Sequence, residues 1–325
     1  MFATSHSRLI ASSTCLTLIL VLALDYPYSS KARVQLDDDE PIACGLSVRE
    51  LVTLTASVSD ENGKPVTELS HENFEVFDND ILQPIAFFIS EDKPVSIVVV
   101  FDLSDSVAKS SRFSAVCQGI LRFKQGINKS SEFIIIGADR NPILITDWTS
   151  NNDVLIEGLS RLALSPTQSR TGIYDACQLA MKKLSDRDNS RLAVLLITNG
   201  RDGTSSSTPH KLSELSKRSN GLIYVLSPSS SKRSLGTSGQ QILARLSLDS
   251  GGSTFFPSSD SEVQAAFSAI TASLGKQYVI GYYPSDNKRD GSWHSVRVGA
   301  SPIDGEQNDS ELHVRTRSGY YAPLR

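Results

Sequence analysis

The run Val95-Ser96-Ile97-Val98-Val99-Val100-Phe101 passes without a turn residue into Asp102-Leu103-Ser104-Asp105-Ser106. Near-continuous Val and Ile mark a parallel strand covered on both faces, because only a strand buried on two sides can carry apolar side chains at successive positions. Ligands of open α/β sheets collect beyond the carboxyl ends of such strands. The sequence therefore delivers a carboxylate and two hydroxyls to one end of a central strand, and the functional site is expected at 102–106.

Hard, small and mostly neutral oxygen donors suit Mg²⁺ or Mn²⁺ better than Zn²⁺ and leave coordination positions for water or a partner. Asp-x-Ser-x-Ser at 102–106 resembles the first signature of the metal-ion-dependent adhesion site (MIDAS) of von Willebrand factor type A domains. The resemblance implies that Ser104 and Ser106 bind the metal directly, that Asp102 acts largely through water, and that two later loops add ligands. Ser169-Arg170-Thr171-Gly172-Ile173-Tyr174-Asp175-Ala176 resembles the family's threonine loop, with Thr171 as the third hydroxyl ligand. The apolar strand 192–197 runs into Thr198-Asn199-Gly200-Arg201-Asp202, where the family usually has Thr-Asp-Gly. The implied metal set is thus Asp102, Ser104, Ser106, Thr171 and Asn199, and Asp175 is expected to be structural.

Asn199 departs from the family pattern. Exchanging a carboxylate about 5 Å from a dication for a neutral amide removes a gross attraction of roughly 2 to 7 kcal/mol, for effective dielectrics from 80 down to 20. Metal binding should be weakened rather than abolished, with Asp202 or Asp105 able to supply charge through water. A cation with fewer anionic ligands also attracts an acidic group of a partner protein more strongly.

Around this centre the pattern alternates. Apolar strands at 95–103, 132–136, 192–198, 222–226 and 253–256 are separated by helix-periodic segments at 113–124, 152–162, 172–184, 210–218, 240–248 and 262–274. Asn151 and Asn152 can cap the second helix, and Ser259 with Glu262 makes a capping box for the last. Such alternation specifies an α/β fold, a doubly wound, mostly parallel sheet with helices on both faces. Segment 142–146 lies close enough to 132–136 for an antiparallel edge hairpin. Strand-like alternation at 51–58, 73–80 and 85–89 precedes this core, and strands at 277–283, 293–298 and 312–315 follow it. Two or three strands are marginal alone, so both flanks are expected to join in one small β layer or sandwich that carries the core as an insert. Asn62-Gly63-Lys64-Pro65-Val66 and 73–77 before the core, with 278–284 and 315–321 after it, resemble the VWFA-related secreted proteins abundant in acidobacteria.

The expected organisation is a signal peptide at 1–32, an N-terminal β segment at 33–92, the type A domain at 93–275 and a C-terminal β segment at 276–325. The apolar stretch 16–24 is too short to span a bilayer comfortably, and small residues near Ala32 suit cleavage there, so export without a stable membrane span is expected. Asp37-Asp38-Asp39-Glu40 forms an acidic lead-in. Neither Cys15 nor Cys44 stands where a lipid-attachment cysteine would. Cys117 and Cys177 fall in helices and read as small buried residues.

A net charge of -4 offers no basic patch, which argues against nucleic acid as a partner. Enzymatic readings find little support. Gly236-Thr237-Ser238-Gly239-Gln240 fails as a nucleophile elbow at its last position, and there is no His-Glu-x-x-His or phosphate-binding glycine loop. A phosphoryl-accepting Asp102 would want a second aspartate where Ser104 stands. The histidines, His6, His71, His210, His294 and His313, lack ligand spacing and are expected in solvent or turn positions. The reading is an exported, non-enzymatic protein-binding module for adhesion or assembly, with a weakened Mg²⁺ or Mn²⁺ site completed by a partner's acidic side chain. The alternative is a metal-independent scaffold in which Ser104, Ser106 and Thr171 merely cap helices and Asn199-Gly200 is an ordinary turn.

Overall fold

Alternation of apolar and polar residues gives β1 (Val52–Ser59), whose burial alternates position by position. The same alternation gives β2 (Phe74–Asp78), after which come the short β3 (Ile81–Gln83) and β4 (Ile85–Glu91). The tight turn between β2 and β3 uses positive φ at Asn79 and Asp80, two residue types that tolerate the left-handed region. In the computed structural model the described residues are 50–61, 64–167, 169–187, 189, 191–228, 238–275, 277–286, 288–302 and 312–324. Contacts divide the chain into Met1–Ile42 and Ala43–Arg325. The first unit, with the expected signal and acidic lead-in, lies outside the described residues, as do Cys44 and the Asn62-Gly63 turn. Among the described residues no helix is long and apolar enough to cross a membrane.

The chain then enters β5 (Val95–Asp102), which is buried at every position. Beyond it come α1 (Asp105–Ala108), α2 (Phe113–Gly126), β6 (Glu132–Ala138), β7 (Ile143–Thr149), α3 (Asn152–Leu164) and α4 (Ile173–Ser185). There follow β8 (Arg191–Ile197), α5 (Pro209–Arg218), β9 (Leu222–Leu226), α6 (Ser238–Asp249), β10 (Thr254–Phe255) and α7 (Asp260–Gly275). The six strands of this series lie in the order β10-β9-β8-β5-β6-β7, parallel throughout except for β7, which closes the expected edge hairpin with β6.

Because side chains alternate across a strand, β5 feeds two cores. Val95, Ile97, Val99 and Phe101 pack with α2, α3 and α7 on one face. Val98 and Val100 pack with α4, α5 and α6 on the other. Cys117 lies half-buried against the first core and Cys177 is buried in the second, and both are free thiols. Burial pushes Cys117 up to about 11 and Cys177 up to about 12, so neither is a ready nucleophile. Asn151 caps α3 as expected, its Oδ1 accepting from Asp153 N at 2.8 Å. At α7 the box is displaced by one residue: Ser259 Oγ accepts from Glu262 N, but the Glu262 carboxylate reaches back to Ser258 N at 2.7 Å.

After α7 come β11 (Gln277–Tyr282), β12 (Trp293–Ala300), β13 (His313–Arg315) and β14 (Gly319–Tyr321). They interleave with the N-terminal strands in two antiparallel sheets, β13-β1-β11-β4 and β14-β12-β2-β3. Leu54, Tyr278 and Ile280 of one sheet share a core with Phe74, Val76, Val296 and Val298 of the other. The flanking β unit is therefore a sandwich built from both ends of the described chain.

One histidine corrects the sequence reading. His294 was expected in solvent or a turn, but it is 2 % exposed, with Nδ1 2.8 Å from Asp78 Oδ1. Tyr282 and Tyr320 donate to Asp78 Oδ2 at 2.9 and 2.7 Å, so the buried carboxylate is fully served. All three partners lie more than two hundred residues from Asp78 in sequence, and no local pattern announces them.

Arg191, 2 % exposed, sits where the α/β unit meets the sandwich. Its Nη1 donates to Lys93 O at 2.6 Å, its Nε to Gln277 Oε1 at 2.8 Å, and its Nη2 to Leu274 O. One guanidinium thus holds the segment leading into β5 and the segment leaving α7.

Candidate functional site

Strand β5 ends at Asp102, which is fully buried. Its Oδ1 accepts from Ser104 N at 2.9 Å and from Thr171 Oγ1 at 3.0 Å, and its Oδ2 accepts from Thr198 Oγ1 at 2.7 Å. Burial raises the Asp102 carboxyl above its ordinary range, against the opposing pull of the hydrogen bonds from Thr198, Ser104 and Thr171. Ser104 Oγ and Ser106 Oγ lie 3.3 Å apart, and Ser106 Oγ in turn accepts from Asn199 Nδ2 at 2.5 Å. All five residues implied by the sequence are therefore joined in one network, with Asp102 and Thr171 on its dry side and Ser106 exposed to solvent.

The hydroxyls are not spent on capping. Ser104 is the N-cap residue of α1 but makes no side-chain cap bond, and the N-cap of α4 is Gly172 rather than Thr171. Thr198 belongs to the same network and escaped the sequence reading, which took it as the end of a strand. Its Oγ1 also accepts from Gly200 N at 3.0 Å, so it ties the Asn199 loop to Asp102.

The other carboxylates are committed elsewhere. Asp202 Oδ1 accepts from Tyr174 N at 3.2 Å and Ser205 Oγ at 2.5 Å, which serves the start of α4. Asp105 pairs with Lys109 at 2.6 Å on the exposed side of α1 and accepts from Thr167. Asp175 receives Ser206 N and Ser207 N, both at 2.8 Å, a structural role as expected. The expectation that Asp202 or Asp105 lends charge to the site thus finds each engaged with other partners. Among the described residues no three His, Cys, Asp or Glu side chains converge to hold a metal ion. Asp102 and the three hydroxyls are hard donors that fit a Mg²⁺-type cation by chemistry. Asn199 fits less well, since its amide nitrogen faces Ser106 and its Oδ1 is taken by Arg201 N at 2.8 Å.

Gly200 holds the turn with φ +78, and the start of α6 is pressed against it. A Cβ at Gly239 would fall 1.7 Å from Gly200 O. Gly239→Ala must displace either α6 or the Asn199 loop, and a loss of about 1–3 kcal/mol of stability is expected by urea unfolding. An unchanged midpoint would show that the contact yields freely.

Residues 97–202 match the family profile described as the von Willebrand factor type A domain. This chain carries a von Willebrand factor type A domain. Solved structures include distant likenesses. A von Willebrand factor type A protein from Catenulispora acidiphila shares 10 % identity over 77 % of this chain and 73 % of its own, with a TM-score of 0.48. The conserved hypothetical protein BatB from Bacteroides thetaiotaomicron shares 16 % over 55 % of this chain and 97 % of its own, with a TM-score of 0.43. The vWF domain of the type V pili tip protein Mfa5 from Porphyromonas gingivalis shares 12 % over 56 % of this chain and 95 % of its own, also with a TM-score of 0.43. No curated protein matches the sequence. The comparisons reach the type A domain and not the narrower acidobacterial resemblance.

Proposed function

We propose that the type A domain is a non-enzymatic protein-binding module of an exported protein, and that its binding face is the loop edge around Asp102. The observation that supports this most is the set of side-chain hydroxyls gathered about one dry carboxylate and left free of helix capping. A divalent cation would be held by Ser104, Ser106 and Thr171, with Asp102 behind them. Adjacent ligands of an octahedral Mg²⁺ at about 2.0–2.1 Å stand about 3 Å apart, close to the 3.3 Å between the two serine oxygens. A carboxylate raised by burial gains from a cation beside it. With one carboxylate in the set, the bound ion keeps positive charge, and an acidic side chain of a partner protein completes its shell.

A second reading, metal-free interaction through the same loops, is favoured by one contact. The Asn199 amide donates to Ser106 Oγ and so closes the network without a cation. Titration calorimetry of the chain from residue 33 with Mg²⁺ and Mn²⁺, beside Asn199→Asp, separates the two. The variant replaces a donor with a carboxylate and is expected to bind at least about tenfold more tightly, a modest share of the gross 2 to 7 kcal/mol. Weak binding by the wild type supports the cation-completed face. Silence of the wild type with binding by the variant supports the metal-free one, and silence of both would sink the cation site.

A further inference from the structure

Between the sandwich and the C-terminal end of α5 lies a cleft of about 610 Å³, within the range of about 300–1,000 Å³ usual for small-molecule sites. None of its lining residues belongs to the Asp102 network. We infer that this cleft binds a small oxyanion, a carboxylate or a phosphate.

Its charge is unbalanced. Five cationic side chains line it, Lys217, Arg218, Lys288, Arg289 and Arg317, against the three carboxylates of Glu50, Asp286 and Asp290. Two of the cations are neutralised locally, Arg289 by Glu50 at 2.5 Å and Lys288 by Asp286 at 2.8 Å. Lys217 leans on Glu214 at 3.5 Å. Among the described residues Arg218 and Arg317 have no carboxylate within ion-pair distance. Instead Arg218 stacks over the Tyr321 ring at 4.9 Å and Arg317 over Tyr320 at 5.6 Å.

Arg317 is the stronger sign. Its Nη1 and Nη2 are anchored to Asn220 Oδ1 at 2.6 Å and Thr53 O at 2.9 Å, which fixes the guanidinium plane, while Nε is buried without a hydrogen-bond partner among the described residues. A half-buried cation facing only neutral acceptors keeps part of its desolvation cost, and an oxyanion offsets it with a charge-assisted bond. Guanidinium groups also match carboxylate and phosphate geometry in two-point contacts. His294 and Tyr320 complete the lining from the sandwich core. Because Asp78 engages Nδ1 of His294, Nε2 is the remaining polar atom of that ring for a ligand.

The test is calorimetry and thermal unfolding of the chain from residue 33, with inorganic phosphate and with succinate, against chloride at matched ionic strength. One-site binding with a raised melting temperature is expected for at least one anion. Phosphate alone would assign a phosphate-bearing ligand, and succinate alone a carboxylate. Arg218 is exposed, so Arg218→Ala should fold, and it is expected to weaken binding about tenfold or more, while Asn199→Asp leaves it unchanged. On titration the His294 ring resonances should shift. No binding above chloride, binding indifferent to Arg218→Ala, or unmoved His294 resonances would overturn the inference.

Discussion

A chain ending at residue 275 is expected to lose the sandwich altogether, leaving residues 50–91 open to protease while the six-stranded sheet stays folded. β1 has two neighbours, β11 along Val52 to Ala56 and β13 along Ser57 to Ser59, and both lie beyond the cut. β4 pairs with β11, so it too would be left alone. Only the β2-β3 hairpin keeps a partner, and an isolated hairpin is marginal in water. The cut also removes Tyr278, Ile280, Tyr282, Val296, Val298 and Tyr320 from the shared core. Large apolar side chains contribute about 1.5–3 kcal/mol each on burial, so six of them amount to the order of a whole domain's stability, about 5–15 kcal/mol. Limited proteolysis read by mass spectrometry decides the matter. Continued protection of 50–91 in the truncated chain would refute the shared core.

Arg191→Met is expected to destabilise the protein by about 3–5 kcal/mol. Methionine fills similar space but leaves Lys93 O, Leu274 O and Gln277 Oε1 without their donors in a buried place. Replacing a buried charge by an apolar residue is often harmless when its partner goes too, but two of these acceptors are main-chain carbonyls and cannot be removed. Burial pulls the guanidinium down to about 10, against the opposing pull of Asp92, whose carboxylate lies 3.7 Å from Nη1, so the native state already holds this cation against its solvation. Chemical unfolding of wild type and variant gives the difference, and a change within about 0.5 kcal/mol, the range of ordinary surface substitutions, would deny Arg191 its joining role.

Much of the architecture was legible because it rests on local periodicity. β5 could be read from its unbroken apolar run, and the two flanks from alternation at 51–58 and 293–298. Asp102, Ser104 and Ser106 stood out because they directly follow an apolar strand, and Thr171 because its loop leads into a helix in a recognisable order. What escaped was of two kinds. Short elements leave too few residues for a period, as with β3 and β14, three residues each. Contacts between distant segments leave no local trace at all: Thr198 reaches Asp102 across 96 residues, and Asp78 meets His294 across 216. The orientation of the Asn199 amide likewise depends on Ser106 and Arg201, and composition alone could not assign it.

The path of the chain through β5 also decides how the molecule would carry a mechanical load. The Asp102 loops sit at one end of this strand, and the link to the sandwich leaves from the other, beside the exit of α7. A pull applied at the loops and resisted at the sandwich runs lengthwise along β5. The strand is bonded in parallel register to β6 over Ser96 to Asp102 and to β8 over Val95 to Phe101. Tension therefore shears both ladders at once rather than peeling them bond by bond, and rupture requires many hydrogen bonds to fail together.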